Sequence, residues 1–444
     1  MPPRRRHLSP KRGLPQRGPR VLLVADLASA HRARHPACEL AAALADEFDI
    51  AVFGAMPAAA AAAAGLARRV RPLPVDDSEL AVFDGALPGG RGRLFAVDVG
   101  DPIVLCRAAL AAARAYDRWP AVLHAWDVAI APVLAMAAGV LDRPLARRVA
   151  SIRGLAGDPA AIRVAIAAAD RVILPSPRAV DAFGRREIAG ELAAAFAAAA
   201  GKLRGIRDGI DTTQWDPARD LTLPARFDAR DPTGKARCKE ALQIECGLRR
   251  RPRTPLLACI APRGAAADRL REALAAIAAI PVQVVVRLPP GHPAASALVA
   301  RADALAGRVA VRCDADDAAV RRTLAGADLC LVGAEPYDPA AVAQLACARY
   351  GAIPVAPNEA GLDDVLVDFD PNTQTGTGFC FDGTDPGALV DVVRRAARAY
   401  DTPAMRALVE RVMRIDLSWR SAARRYRDVY DDLLTSQSAE ARAS

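Results

Sequence analysis

The sequence predicts an α/β protein of two doubly wound domains, and three observations lead there. Short apolar runs bounded by polar loops recur along most of the 444 residues, each trailed by an alanine-rich stretch of helical period. The length exceeds what a single hydrophobic core serves, so two domains are expected. Between the two sets of runs, over 202–234, the hydrophobic period gives way to Gly, Pro, Asp and Thr, as in a linker.

The first twenty residues, MPPRRRHLSPKRGLPQRGPR, hold seven Lys or Arg and no acid. No apolar stretch of signal-peptide form follows, so they read as a disordered basic tail, 1–20. RVLLVAD is the first strand, a helix is expected from about Pro36 to Phe48, and IAVFGA is the second strand. AVLHAWD, LARRVASIRG and DRVILPS continue the alternation and complete an N-terminal domain over 21–201. After the linker, the helix KARCKEALQIECGL, closed by Gly247, opens a second domain over 235–402. Its strands, mostly parallel, are PLLACIA, VQVVVRL, RVAVRC, ADLCLVG, GAIPVAP and GTGFCF. Past Pro403 the spacing is helical without a further strand, giving C-terminal helices over 403–434 and a disordered end over 435–444.

Composition excludes several function classes. Nine cysteines form no C-x-x-C pair, and the five histidines (His7, His31, His35, His124, His292) show no metal-ligand spacing, so neither a disulfide framework nor a metal site is expected. The pattern suits a reducing, cytoplasmic setting. No run of strongly apolar residues reaches a membrane-spanning length. Of the net charge of +9, seven charges sit in the tail and +2 remains for the rest. With 5% aromatic residues, a nucleic-acid partner is not expected. A nucleic-acid arm in the tail would show salt-sensitive binding, lost on deleting residues 1–20.

The stretch EPYDPAAVAQLACARYGAIPV, Glu335 to Val355, reads as a loop that closes on a helix begun by Pro339, with a strand from near Ala352. Asp338, just ahead of that proline, is either a helix cap or part of a site. Ligands of open α/β sheets sit outside the carboxyl ends of the strands, so a nucleotide or sugar ligand fits the architecture.

Several segments resemble the bacterial glycogen synthase and plant starch synthase family. GKLRGIRDGIDTTQWDPARD is similar to G-K-x-x-G-I-x-N-G-I-D-x-x-x-W-x-P-x-x-D, and GKARCKEALQIECGL to K-x-x-N-K-x-x-L-Q-x-x-x-G-L. QLACARYGAIPV, GTGFCF and DLSW match three further motifs in order. The resemblance implies a GT-B glycosyltransferase: two Rossmann-like domains facing a cleft and a C-terminal helix crossing back to the first. It also implies retaining transfer of glucose from ADP-glucose, or another nucleotide sugar, to an α-1,4-glucan, without metal or cofactor. Such a reaction needs positive groups or helix N-termini around the leaving diphosphate and a carboxylate for the sugar hydroxyls.

Carried over by position, the resemblance puts Asp338 where the family's donor-sugar-binding Glu stands; Glu335, the alternative, requires three inserted residues. Ala341 and Val342 replace the Gly-Leu that meets the diphosphate. The family's donor-binding Arg and Lys fall on Pro262 and Ala267, with Arg263 one place off as a substitute cation. Its nucleotide-side Gly-Tyr falls on Asp314 and Ala315, adding a negative charge. The phosphate loop falls on Glu359 to Leu362, of which Gly361 and Leu362 match. In the N-terminal domain, His124 and Asp127 match the family's H-A-H-D and Trp126 replaces its second histidine, while nothing of K-x-G-G-L survives at Ala33 to Ala37. Two functions follow. One is a glucosyltransferase of reduced or altered activity using Asp338 and Arg263. The other is a catalytically inactive relative acting as a glucan-binding or partner-binding scaffold. The plain structural alternatives are that Asp338 caps its helix, Arg263 pairs with Asp268, and Trp126 packs behind the first sheet.

Overall fold

The seven residues Arg20–Asp26 form β1, buried at its five inner positions, as expected of a strand covered on both faces. The computed structural model describes residues 18–27, 35–87, 89–140, 142–154, 158–184, 192–332, 346–358, 362, 364–383 and 385–443. Two units are distinguished: Met1–Trp126 with Pro132–Arg148 and Leu433–Ser444, and Asp127–Ala131 with Val149–Asp432. Among the described residues no helix is long and apolar enough to cross a membrane.

In the first unit β1 is followed by α1 (Pro36–Leu44), β2 (Asp49–Ala55), α2 (Ala58–Ala63), β3 (Ala67–Arg68), β4 (Leu73–Val75), β5 (Ser78–Leu80), β6 (Val82–Ala86), β7 (Arg93–Val97), α3 (Pro102–Ala115), β8 (Val122–Ala125) and α4 (Pro132–Ala138). The strand order is β8-β1-β2-β7-β6-β3. β8, β1, β2 and β7 are parallel, and β6 and β3 are antiparallel additions. The α1 helix stops at Leu44, four residues short of the expected end.

The second unit takes in β9 (Arg147–Ser151) from Val149 onward, then α5 (Pro159–Ala168), β10 (Arg171–Leu174), α6 (Pro177–Gly184), α7 (Leu192–Ala198) and β11 (Leu203–Gly205). It continues with α8 (Gly234–Glu245), β12 (Leu256–Ile260), α9 (Gly264–Ala279), β13 (Gln283–Arg287), α10 (Ala295–Asp303), β14 (Val309–Arg312), α11 (Asp317–Gly326) and β15 (Leu329–Leu331). It closes with α12 (Ala346–Arg349), β16 (Ile353–Pro357), β17 (Phe379–Phe381), α13 (Pro386–Ala399), α14 (Pro403–Met413) and the start of α15 (Trp419–Ala443). Strands β12 to β17 form a parallel sheet of order β14-β13-β12-β15-β16-β17. Its order reverses between β12 and β15, so the carboxyl ends of these two strands flank the switch point where α/β ligands sit. The α15 helix runs through residues expected to be a disordered end. Its Gln437 donates to the Leu145 carbonyl at 3.1 Å, within the first unit.

The linker motifs are anchored parts of the second unit. Ile210 N–H donates to the Leu417 carbonyl at 2.7 Å, and Ile210 bridges to Ser418. A Cβ on Gly209 would lie inside the contact radius of the Trp419 backbone and 2.7 Å from the Ser418 carbonyl carbon, so GIDTTQW and DLSW require each other. Asp416 holds the latter turn by accepting from the Ser418 amide at 3.0 Å and its hydroxyl at 2.6 Å. Asp220, farther along the linker, accepts from the Tyr350 hydroxyl at 2.9 Å and pairs with Arg321 at 3.2 Å.

Candidate functional site

The residues leaving β12 carry the clearest site geometry. Ala261 has φ of 44° and Gly264 has φ of 46°. A non-glycine residue in the left-handed region costs of order 1 kcal/mol and marks a turn set by something other than local preference. The turn puts Arg263 at the N-cap position of α9, a 16-residue helix with no side-chain cap and no acid in its first turn. The positive pole of this helix dipole favours an anion.

Arg263 is exposed and has no side-chain partner among the described residues. The pairing of Arg263 with Asp268 is not found, because Asp268 is taken by Arg271 at 3.3 Å, three residues on along the same helix face. Arg263, Asp268, Arg271 and His292 share a surface hollow of about 700 Å³ with the 289–293 turn after β13. Pro262 and Ala267, where the resemblance places the family's two cations, are buried, Ala267 to 6% exposure.

Asp314 differs from the expectation of an added negative charge. Arg287 on β13, fully buried, donates to Asp314 at 2.7 Å and to Glu245 at 2.7 Å. Arg312 adds a contact to Asp314 at 3.0 Å, and Arg322 one to Glu245 at 3.1 Å. Desolvation raises the pKa of Asp314, but Arg287 and Arg312 outweigh it and the carboxyl sits below its ordinary range. The charge is balanced within the chain by Arg287 and Arg312.

A second arginine group was missed by sequence reasoning. Arg153 holds both oxygens of Asp208, one at 3.0 Å, and Arg207 reaches Asp364 at 3.3 Å, with Arg425 at 3.5 Å from the same carboxylate. Burial works against the Arg153 guanidinium, and Asp208 more than compensates, so its pKa is raised; Asp127 contributes to the same effect. Three guanidiniums against Asp208, Asp364 and Asp127 leave this group close to neutral. Asp364 stands two residues after Leu362 in the sequence and is held by Arg207 and Arg425. No local signal marks these arginines, since their partners are 55, 157 and 61 residues away.

The remaining candidates are placed as follows. His124 and Trp126 are 0% and 1% exposed, with ring centroids 5.4 Å apart, and the His35 ring stands edge-on to Trp126 at 6.4 Å. Trp126 is thus packed in the core of the first unit. Asp127 is half-buried and begins a short 3-10 turn without capping it. Leu362 is 4% exposed and belongs to the core of the second unit. Asp338, Glu335, Ala341, Val342 and Gly361 lie outside the described residues, as do residues 1–17 of the basic tail.

No family model matches the chain. It is 40% identical over 235 residues to the glycogen synthase of Anaeromyxobacter sp. (strain Fw109-5), covering 52% of this chain and 49% of that protein. It is 35% identical over 288 residues to the glycogen synthase of Burkholderia thailandensis, covering 62% of this chain and 53% of that one. The chain spans about half the length of the curated relatives it matches. Among solved structures it is similar to the catalytic domain of starch synthase IV from Arabidopsis thaliana bound to ADP and acarbose. The TM-score is 0.81 at 21% identity, over 94% of this chain and 100% of that one. With its parallel sheets and the match to that catalytic domain, the chain carries the GT-B fold, and over about half of their length it is similar to glycogen synthases.

Proposed function

We propose that the chain is a glucosyltransferase of the glycogen synthase type with reduced activity, moving glucose with retention from ADP-glucose or another nucleotide sugar to an α-1,4-glucan in the cytoplasm. The kinship with glycogen synthases supports the reaction class. The observation that carries the reduced activity is the composition of the turn after β12. Arg263 and the amino end of the α9 dipole are what this turn offers a diphosphate, and Pro262 and Ala267 stand where the family places two cations.

In this reading Arg263 and the α9 amides neutralise charge developing on the departing nucleotide, and Asp338 holds hydroxyls of the transferred sugar. A hydrogen bond to a charged group contributes about 1.5–3 kcal/mol, so one missing cation costs roughly 10- to 150-fold in rate.

The test is nucleotide release and chain elongation with ADP-glucose or UDP-glucose and glycogen. Slow turnover that falls a further ~10-fold or more in Arg263→Ala is expected from the loss of that cation. No release from either donor, with glycogen binding intact, replaces this reading with the scaffold one. Turnover unchanged in Arg263→Ala removes Arg263 from the donor site.

A further inference from the structure

At the opposite, amino-terminal edge of the same parallel sheet lies a hollow of about 550 Å³, walled by α8, by α14 and by the chain at Arg250, Pro252 and Tyr400. Asp328, which enters β15, and Pro252, ahead of β12, lie at its base, so it is remote from the strand ends that carry Arg263. Its size is that of a small-molecule site.

The polar groups at the floor are already satisfied. Lys235, on the buried side of α8, donates to the carbonyls of Ala325 at 3.0 Å, Ala327 at 2.5 Å and Tyr350 at 2.8 Å, which uses all three of its protons. Lys239 is held by the carbonyls of Pro252 and Thr254, by the Tyr400 hydroxyl and by Asp328 at 2.6 Å. The Gln243 amide bonds the Gln283 side chain at 2.7 Å. What these residues present to the hollow is aliphatic stem, beside Pro232, Ala236, Met405 and Val409.

The rim has the opposite character. Its acids are engaged: Glu240 by Arg250, Asp401 by Arg253 and Glu410 by Arg414. Its cations Arg237, on α8, and Arg406, on α14, are exposed and have no side-chain partner among the described residues. An apolar basin between two unengaged guanidiniums is complementary to one kind of guest. We propose that this hollow binds a small amphipathic anion, its apolar or aromatic body against Ala236, Met405 and Val409 and its carboxylate, sulfonate or phosphate head held by Arg237 and Arg406. Planar, weakly hydrated guanidinium forks suit such a head group, and a desolvated apolar floor excludes a fully polar guest.

The probe is anilinonaphthalene sulfonate, titrated by fluorescence against the full chain. One saturable site is expected. Arg237→Glu/Arg406→Glu weakens it at least tenfold, Ala236→Trp fills the basin and abolishes it, and Arg263→Ala at the other edge of the sheet leaves it unchanged. All of these positions are exposed, and circular dichroism checks that each variant is folded. A titration that Ala236→Trp and the double charge reversal both leave unaltered, or the absence of saturable binding, overturns the proposal.

Discussion

Replacing one carboxylate around Arg287 tests whether the cluster at the ends of β13 and β14 exists to neutralise a buried cation. Arg287 is 0% exposed and has two acids, Glu245 and Asp314, each of which has a second arginine of its own. Removing one partner of a fully buried pair costs about 3–5 kcal/mol. Here the Glu245 and Asp314 side chains are 28% and 46% exposed, so solvent screens part of the loss and the other acid remains. Glu245→Gln or Asp314→Asn alone is expected to cost about 1–2 kcal/mol, and the double variant about 3–4 kcal/mol, because it leaves the guanidinium uncompensated.

Arg287→Met has the opposite expectation. It removes the cation and fills the space with apolar volume, while Glu245 keeps Arg322 and Asp314 keeps Arg312, so stability should stay within about 1 kcal/mol of the parent. Urea unfolding followed by circular dichroism measures all four proteins. If Arg287→Met is more destabilising than the double carboxylate variant, neutralisation is not the reason for the cluster and the reasoning fails. The pH dependence gives a second check. For Glu245, burial raises the pKa and the hydrogen bonds from Arg322 and Arg287 bring it below the ordinary glutamate value. A folded-state pKa below the unfolded one means stability present at neutral pH and lost as the pH falls through the folded value. The advantage of the parent over Glu245→Gln should therefore shrink below about pH 4.

Gly209→Ala should destabilise by about 2–3 kcal/mol or prevent accumulation of folded protein, since its methyl meets the Trp419 and Ser418 backbone rather than a side chain that can turn away; thermal unfolding measures it. Lys235→Met strips three buried carbonyls of their donor and should cost about 2–4 kcal/mol in urea unfolding, with nucleotide release per folded molecule unchanged. Asp338→Asn keeps an acceptor oxygen ahead of Pro339 and removes the charge. A sugar-binding carboxylate then loses roughly 10-fold or more in kcat/KM, and a mere cap loses neither rate nor melting temperature.

The parallel strands were legible because burial on both faces turns them into continuous apolar runs; RVLLVAD coincides with β1 to the residue. Ala67 to Val97 was not. Its β3, β4 and β5 are pieces of two or three residues, too short to show a period, and they are defined by antiparallel pairing with chain up to 17 residues away. The motifs of the linker were legible as motifs but not as mechanics: why Gly209 must be glycine depends on Trp419, more than two hundred residues later. The charge clusters were the least legible part of the site. A sequence shows that Asp314 replaces a neutral residue of the family pattern, but its neutralisation depends on Arg287, which lies on another strand and reads as a misplaced charge in VQVVVRL.

The ambiguity at Asp338 has a physical origin. At six Asp-Pro steps among the described residues the aspartate accepts a hydrogen bond from the amide two residues on: Ile103, Ala160, Ala218, Thr233, Asn372 and Gly387. Proline lacks an N–H, so the first amide the carboxylate meets is the next one, and the turn forms wherever the dipeptide stands. Asp338-Pro339 is one of seven such steps in the sequence, which makes an aspartate ahead of that proline uninformative on its own. A carboxylate also has about four acceptor sites, so capping and sugar binding are compatible at a single residue. What distinguishes a donor site from an ordinary helix start is the charge gathered around it. In this chain that question turns on Arg263, whose guanidinium has no side-chain partner among the described residues, whereas Arg153, Arg207 and Arg287 are each committed to an aspartate of the chain itself.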